Sequence, residues 1–260
     1  MLDDIVISKA IIESYFKEIL ESLECDVVIC GAGPAGLCAS YFLSKDGFKV
    51  VVFEKALRPG GGMPGGGMMF NKIVIQMESK PLLDEWGVST THYKDNYYVA
   101  SSLETLGVLL SQAIKKGAHI FNCLAVEDVL IYDNKVSGCV INWSAVEMAK
   151  FHVDPLTVRS SFVVDATGHA AEIARVVSQK SGAKLLTSTG GVIGEKPMWA
   201  EKGEKAILKN TKEVFSHLYV CGMAANAVFG SPRMGPIFGG MLLSGKKVAR
   251  LIAERLRPQK

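Results

Sequence analysis

Residues 26–36 read DVVICGAGPAG, and their interpretation decides the fold. Val27, Val28, Ile29 and Cys30 form an unbroken apolar run into Gly31-Ala32-Gly33-Pro34-Ala35-Gly36, and residues 37–43 continue in an apolar-rich helical pattern. The order is buried strand, tight turn and helix start, the context in which a G-x-G-x-x-G spacing carries weight. Gly31 permits the turn, Gly33 lets a pyrophosphate approach the backbone, and Gly36 lets helix and strand pack closely. The free N–H groups and positive dipole end of the helix then face phosphate. A second strand over 49–54 closes on Glu54, 23 residues after Gly31, where a carboxylate can accept hydrogen bonds from ribose hydroxyls. A glycine-rich turn without a ligand is the competing interpretation. With strand, helix and acid in register, an ADP-containing ligand is favoured: NAD, FAD or a compound made from them.

The remaining pattern extends this unit into an α/β chain of the FAD/NAD(P)-binding Rossmann-like class, with a central parallel sheet and an additional β-hairpin or small sheet. Residues 1–260 are expected to form one dinucleotide-binding-type domain. An amphipathic helix within residues 1–24 packs on the body or on a neighbouring subunit, with Ile5, Ile7, Ile11, Ile12, Phe16, Ile19, Leu20 and Leu23 at helical spacing. Short helices are expected over 82–88 and 102–116, with Ser102 as cap and Gly117 as stop. Strands follow over 118–124, 126–132 and 136–143, the last two joined by a turn at Asp133-Asn134-Lys135. Another strand spans 161–166 and a helix 171–181. Residues 184–210 suggest loops, 218–221 a short strand, and 239–256 a closing helix.

Composition excludes several function classes. A formal net charge of +3 without a long basic run argues against nucleic acid as a partner. No apolar stretch reaches membrane-spanning length. Acidic residues throughout 1–24 are incompatible with a secretory signal's apolar centre, so a cytoplasmic location is expected. Cys25, Cys30, Cys38, Cys123, Cys139 and Cys221 are scattered without C-x-x-C spacing, which points to reduced, mostly buried thiols.

Three further features carry possible chemistry. Residues 58–67, RPGGGMPGGG, hold six glycines and two prolines, which suits a loop covering a ligand or a flexible linker. His152 and Asp154 share a face in extended backbone, and His169 follows Thr167-Gly168 at a strand end, the edge where α/β ligands bind. An imidazole and a carboxylate from different segments suit a divalent transition metal, although a capped turn and a surface histidine would read the same way. Arg233, the only charge in the glycine-rich run 222–240, suits bidentate capture of a carboxylate or a solvent-facing loop.

Together these residues make the chain resemble the thiamine thiazole synthase family along essentially its whole length. The resemblance rests on ISKAI (7–11), DVVICGAGPAG (26–36), FEK (53–55), the doubled glycine loop (60–67), NW (142–143), VDP (153–155), DATGH (165–169) and SPRMGPIFGGMLLSG (231–245). It implies an enzyme that takes NAD as substrate: nicotinamide is lost, ADP-ribose is isomerised to a ketose, glycine condenses with it, sulfur enters, and cyclisation gives an adenylated thiazole carboxylate. By position, Gly31, Gly33, Ala35, Gly36, Glu54, Lys55 and Gly62 would hold the adenosine and diphosphate, with Val126 at the adenine. Met223 would line the reacting end and Arg233 would bind the glycine-derived carboxylate. Asp154 and His169 would bind iron(II) from adjoining subunits, which implies a homo-oligomer, an octamer or another dimer-based assembly.

His152 sets the expected subclass. Fungal and plant members carry there a cysteine that surrenders its own sulfur; histidine has none to give, so the chain resembles the archaeal type that uses free sulfide and turns over repeatedly. His152, Asp154 and His169 are thus the expected catalytic set. Met63-Pro64 departs from the aromatic often found in the glycine loop. Competing activities are a ribose-1,5-bisphosphate isomerase, a flavin-dependent oxidoreductase and a non-catalytic NAD sensor.

Overall fold

Alternation along a strand sends Val27 and Ile29 to one face and Val28 and Cys30 to the other, and all four are buried. A strand with no polar face belongs in the middle of a sheet covered on both sides. The computed structural model describes residues 1–257 and puts it there. In chain order the elements are α1 (Asp4–Ser22), β1 (Glu24–Cys30), α2 (Pro34–Lys45), β2 (Val50–Glu54), β3 (Lys72–Gln76), α3 (Lys80–Trp86), β4 (Thr90–Lys94), β5 (Tyr97–Ser101), α4 (Ser102–Lys115) and β6 (His119–Asn122). Then come β7 (Leu124–Tyr132), β8 (Lys135–Trp143), α5 (Ser144–Ala149), β9 (Leu156–Asp165), α6 (Glu172–Lys180), α7 (Ala200–Asn210), β10 (Lys212–Phe215), β11 (Leu218–Val220), α8 (Met223–Val228) and α9 (Gly239–Leu256).

The main sheet runs β10-β11-β9-β1-β2-β6, and β11, β9, β1, β2 and β6 are mutually parallel. The β7/β8 hairpin joins it antiparallel through the first half of β9, whose second half pairs with β11. This double use explains why β9 begins five residues before the expected 161: residues 156–159 have β8 as a partner. A separate antiparallel sheet, β3-β5-β4, supplies the expected small sheet. Val27, Ile29, Val50 and Val52 pack with Leu37, Leu109, Leu242 and Ile252 on one face. Val28, Val51 and Phe53 pack with Ile141, Val158, Ile173 and Val177 on the other.

Close backbone approach sets the geometry of the first turn. Gly31 has φ +101°, and a Cβ there would stand 2.7 Å from the Ala166 carbonyl oxygen. A Cβ on Gly36 would stand 2.1 Å from the Gly31 carbonyl oxygen. Gly33 differs: its φ is −73° and a Cβ would meet nothing within 4 Å. The turn therefore contains two packing glycines and one that faces open space.

Several local expectations change. Ser101, not Ser102, caps α4, its hydroxyl accepting from the Glu104 N–H, while the Ser102 hydroxyl donates to the Pro64 carbonyl. Residues 200–210 form the helix α7 instead of a loop. Gly203 sits inside it because a Cβ there would stand 2.6 Å from Met234 Cγ and 2.8 Å from the Pro232 carbonyl oxygen. Asp133 and Asn134 both take positive φ, as a two-residue hairpin turn requires. Most of α1's apolar face is left uncovered: Tyr15, Ile19 and Leu23 pack on the body, but Ile5, Ile11, Ile12, Phe16 and Leu20 are exposed.

Gly36→Ala is expected to destabilise by about 1–3 kcal/mol or more, as overpacking against backbone does, whereas Gly33→Ala should stay within about 0.5 kcal/mol of wild type. Urea unfolding of the two variants checks this; equal losses would contradict the assignment.

Candidate functional site

The ends of the parallel strands converge on one edge. Cys30 of β1 is in register with Phe53 of β2 and with Asp165 of β9, and Asp165 with Val220 of β11. The loops leaving these ends enclose a cavity of about 590 Å³, within the usual range for small-molecule sites. Gly31, Gly33, Ala35, Glu54, Lys55, Gly62, Val126, His169, Met223 and Arg233 all line it. Ten residues expected from separate parts of the chain thus share one wall.

Gly36 does not reach the cavity; it serves the strand–helix contact instead. His152 and Asp154 do not line it either. They lie in the exposed stretch 151–155, held at one point by the Asn142 amide, which donates to the Val153 carbonyl at 3.1 Å. Within one chain, then, Asp154 and His169 are not gathered into one cavity, because the cavity ends short of the segment that leads into β9. Among the described residues no three His, Cys, Asp or Glu side chains cluster in a way that could hold a metal. Asp154 has no hydrogen-bond or ion-pair partner among the described residues, so its carboxylate is free for a ligand from outside the chain.

Glu54 is buried and pre-positioned. One carboxylate oxygen accepts from the Ala32 N–H and the other from the Ala56 N–H, each at 2.8 Å. A carboxylate has about four lone-pair directions, so two remain for hydroxyl donors. At the head of α2 the first internal bond is Leu37 N–H to the Gly33 carbonyl, leaving the Ala35 and Gly36 N–H groups without an intrahelical acceptor. Residues 58–67 fold over this turn: Gly60 donates to the Ala32 carbonyl, and a Cβ on Gly61 would lie 3.4 Å from Gly33 Cα. Met63 is fully buried and Pro64 is buried beside it, so Met63-Pro64 anchors the loop in the core, while Gly61, Gly62, Gly66, Gly67 and Met68 line the cavity.

Asp165, fully buried, organises the next turn. It accepts from the Thr167 N–H and hydroxyl and from the Ala174 N–H, while the Thr167 oxygen accepts from the Glu172 N–H. Burial raises its carboxyl above the ordinary range, and these donors only partly oppose that. The turn carries His169 to the cavity rim, where its Nδ1–H donates to both oxygens of Glu195 at 2.8 and 2.9 Å. Glu172, the first residue of α6, pairs with Lys55 across the site; this hydrogen bond, outweighing burial, raises the lysine above its usual value.

Arg233 is exposed at the cavity, and its guanidinium has no ion-pair partner among the described residues. Its backbone is fixed to the 196–199 segment, Arg233 N–H donating to the Lys196 carbonyl and Trp199 N–H to the Arg233 carbonyl. Cys30 is the one thiol among the described lining residues, and burial raises it well above the usual thiol range. Burial also raises Cys38, Cys139 and Cys221, and takes Cys25 to about 12. Glu172 and Glu195 escaped the sequence reading. Glu172 follows the recognised DATGH by three residues, a usable signal; Glu195 lies in a stretch with no periodicity.

No helix among the described residues is long and apolar enough to cross a membrane. Residues 8–238 match the Thi4 family. The chain is 54% identical over 256 residues to a thiamine thiazole synthase of Methanothermobacter thermautotrophicus, covering 98% of this chain and 99% of that one. It is 51% identical to a thiamine thiazole synthase of Pyrococcus horikoshii, covering 99% of this chain and all of the other. The crystal structure of Thermovibrio ammonificans THI4 superposes with a TM-score of 0.97 at 49% identity, covering 98% of this chain and 99% of that one.

Asp165→Asn cannot keep all three donors satisfied, since an amide offers one oxygen, and should destabilise by about 1–3 kcal/mol. The native carboxyl is raised. Its contribution is therefore fully present below the unfolded value of about 3.9 and is lost as pH rises through the native value. Wild type should accordingly exceed Asp165→Asn by more at about pH 4 than at about pH 7, which unfolding titrations at the two pH values would measure.

Proposed function

Since the chain belongs to the Thi4 family, we propose that it is a thiamine thiazole synthase that converts NAD, glycine and free sulfide to an adenylated thiazole carboxylate with release of nicotinamide. The observation that carries this reading is one cavity lined by a glycine turn of dinucleotide-binding spacing with its acid, by an arginine without an ion-pair partner among the described residues, and by a carboxylate-bound histidine.

In this reading the diphosphate lies against Gly33 and the free N–H groups of α2, the adenosine ribose on Glu54, and the adenine beside Val126. Lys55, held by Glu172, flanks the nucleotide. Met223 lines the wall beside the ribose that loses nicotinamide, and Arg233 orients the glycine carboxylate by a bidentate pair before glycine condenses with the ketose. His169 would hold iron(II) through Nε2, since Nδ1 is committed to Glu195, and Asp154 of an adjoining copy would complete the protein ligands. Bound there, iron(II) would supply Lewis acidity and a template for sulfide.

External sulfur is supported by His152, which has none to donate, and by burial that keeps Cys30 protonated inside the cavity. Six free thiols also suit a reducing compartment, the cytoplasm. A homo-oligomer is supported by Met148, Phe151, Val153 and Leu156, exposed around Asp154, and by the uncovered face of α1.

Anaerobic incubation with NAD, glycine, sulfide and iron(II) should yield the adenylated thiazole over many turnovers, as read by mass spectrometry. Nicotinamide release without thiazole, or no reaction, would contradict the proposal. Arg233→Ala should raise the KM for glycine about tenfold or more, on the scale of losing a hydrogen bond to a charged group, with nicotinamide release retained; an unchanged KM would remove Arg233 from carboxylate binding.

A further inference from the structure

The stretch 193–199 is held by backbone on both sides of one carboxylate. Ile193 and Gly194 donate to the carbonyls of Val228 and Ala227, and Lys196 donates to Ser231 and accepts from Arg233. Between these anchors Glu195 points its side chain at His169, and its own exposure is only 18% against 50% for the imidazole. A glutamate on a free loop would sample many rotamers; this one has a fixed backbone and both oxygens on a single ring nitrogen.

We propose that Glu195 is the positioning residue that fixes the tautomer and ring orientation of His169, leaving Nε2 as the only lone pair available to a divalent metal at the cavity. A carboxylate can only accept, so the proton of a neutral His169 resides on Nδ1. Metal-binding histidines ordinarily have the far ring nitrogen committed in this way. The same segment is bonded to the backbone on either side of the Arg233 side chain, so the histidine and the arginine are set relative to each other by one piece of chain. This inference rests on the metal reading of His169 proposed above.

Cobalt(II), titrated anaerobically into the whole assembled protein and followed by visible absorption, is the probe, with wild type, Glu195→Ala, Glu195→Gln and His169→Ala compared. Glu195→Ala should weaken cobalt about 10–100-fold, and Glu195→Gln, whose amide oxygen still accepts the proton, by less than about tenfold. In metal-free protein labelled with 15N-histidine, the His169 signal, assigned by its loss in His169→Ala, should report Nδ1–H in wild type and Glu195→Gln. It should shift toward Nε2–H in Glu195→Ala. Wild-type cobalt affinity in Glu195→Ala while His169→Ala loses the metal would overturn the proposal. Should His169→Ala bind cobalt as wild type does, the metal reading fails instead, and an unchanged His169 tautomer in Glu195→Ala would then overturn the positioning role by itself. Melting temperature and NAD binding serve as controls for folding.

Discussion

The carbonyl oxygen of Gly31 occupies the space that any side chain at position 36 would need. Strand β1 and helix α2 can meet this closely only without Cβ atoms, and the same closeness sets the Ala166 backbone against Gly31 from the neighbouring strand β9. Three chain segments are locked at one point on the carboxyl edge of the sheet. From there the glycine turn departs in one direction and the turn bearing His169 in the other, so the separation of the two turns is a property of the sheet. On the far side of α2, Gly245 allows α9 equally close contact, where a Cβ would stand 2.3 Å from the Ala35 carbonyl oxygen. The helix presenting its N-terminus to the cavity is gripped from both sides.

Much of this was legible because it is governed by short-range rules. The continuous apolar run of β1, the glycine spacing and the placement of Glu54 each have a local cause, and so does the closing helix α9, whose bounds match the expected 239–256. Residues 200–210 were not legible because only Gly203, Ile207 and Asn210 of α7 are buried. A helix that is mostly polar and contains a glycine gives a weak periodic signal; it is held by packing against α8, α9 and the 232–234 loop, which is a tertiary fact. The caps show the same limit. Choosing between Ser101 and Ser102 depends on where β5 ends, and that depends on its pairing with β3.

The site divides along the same line. Most expected residues attached to strand ends or glycine turns line the cavity, Gly36 excepted. Asp154 and His152 did not, since nothing in a two-residue spacing fixes where an irregular segment runs, and Asn142 holds that segment on the flank of the hairpin. Glu195 is the converse. It belongs to the least patterned part of the chain, yet the backbone bonds of its neighbours place it more firmly than the acid two residues from His152.

Glu54 carries a further consequence. Both of its oxygens are engaged with main-chain N–H groups, so the acceptor directions left over are set by the backbone. A ribose meeting this acid, as proposed, would involve no rotamer search, and the entropy that a mobile glutamate would forfeit on capture would be spent during folding instead. The proposed adenosine site would thus be a finished mould, with discrimination exercised by shape at the moment of encounter.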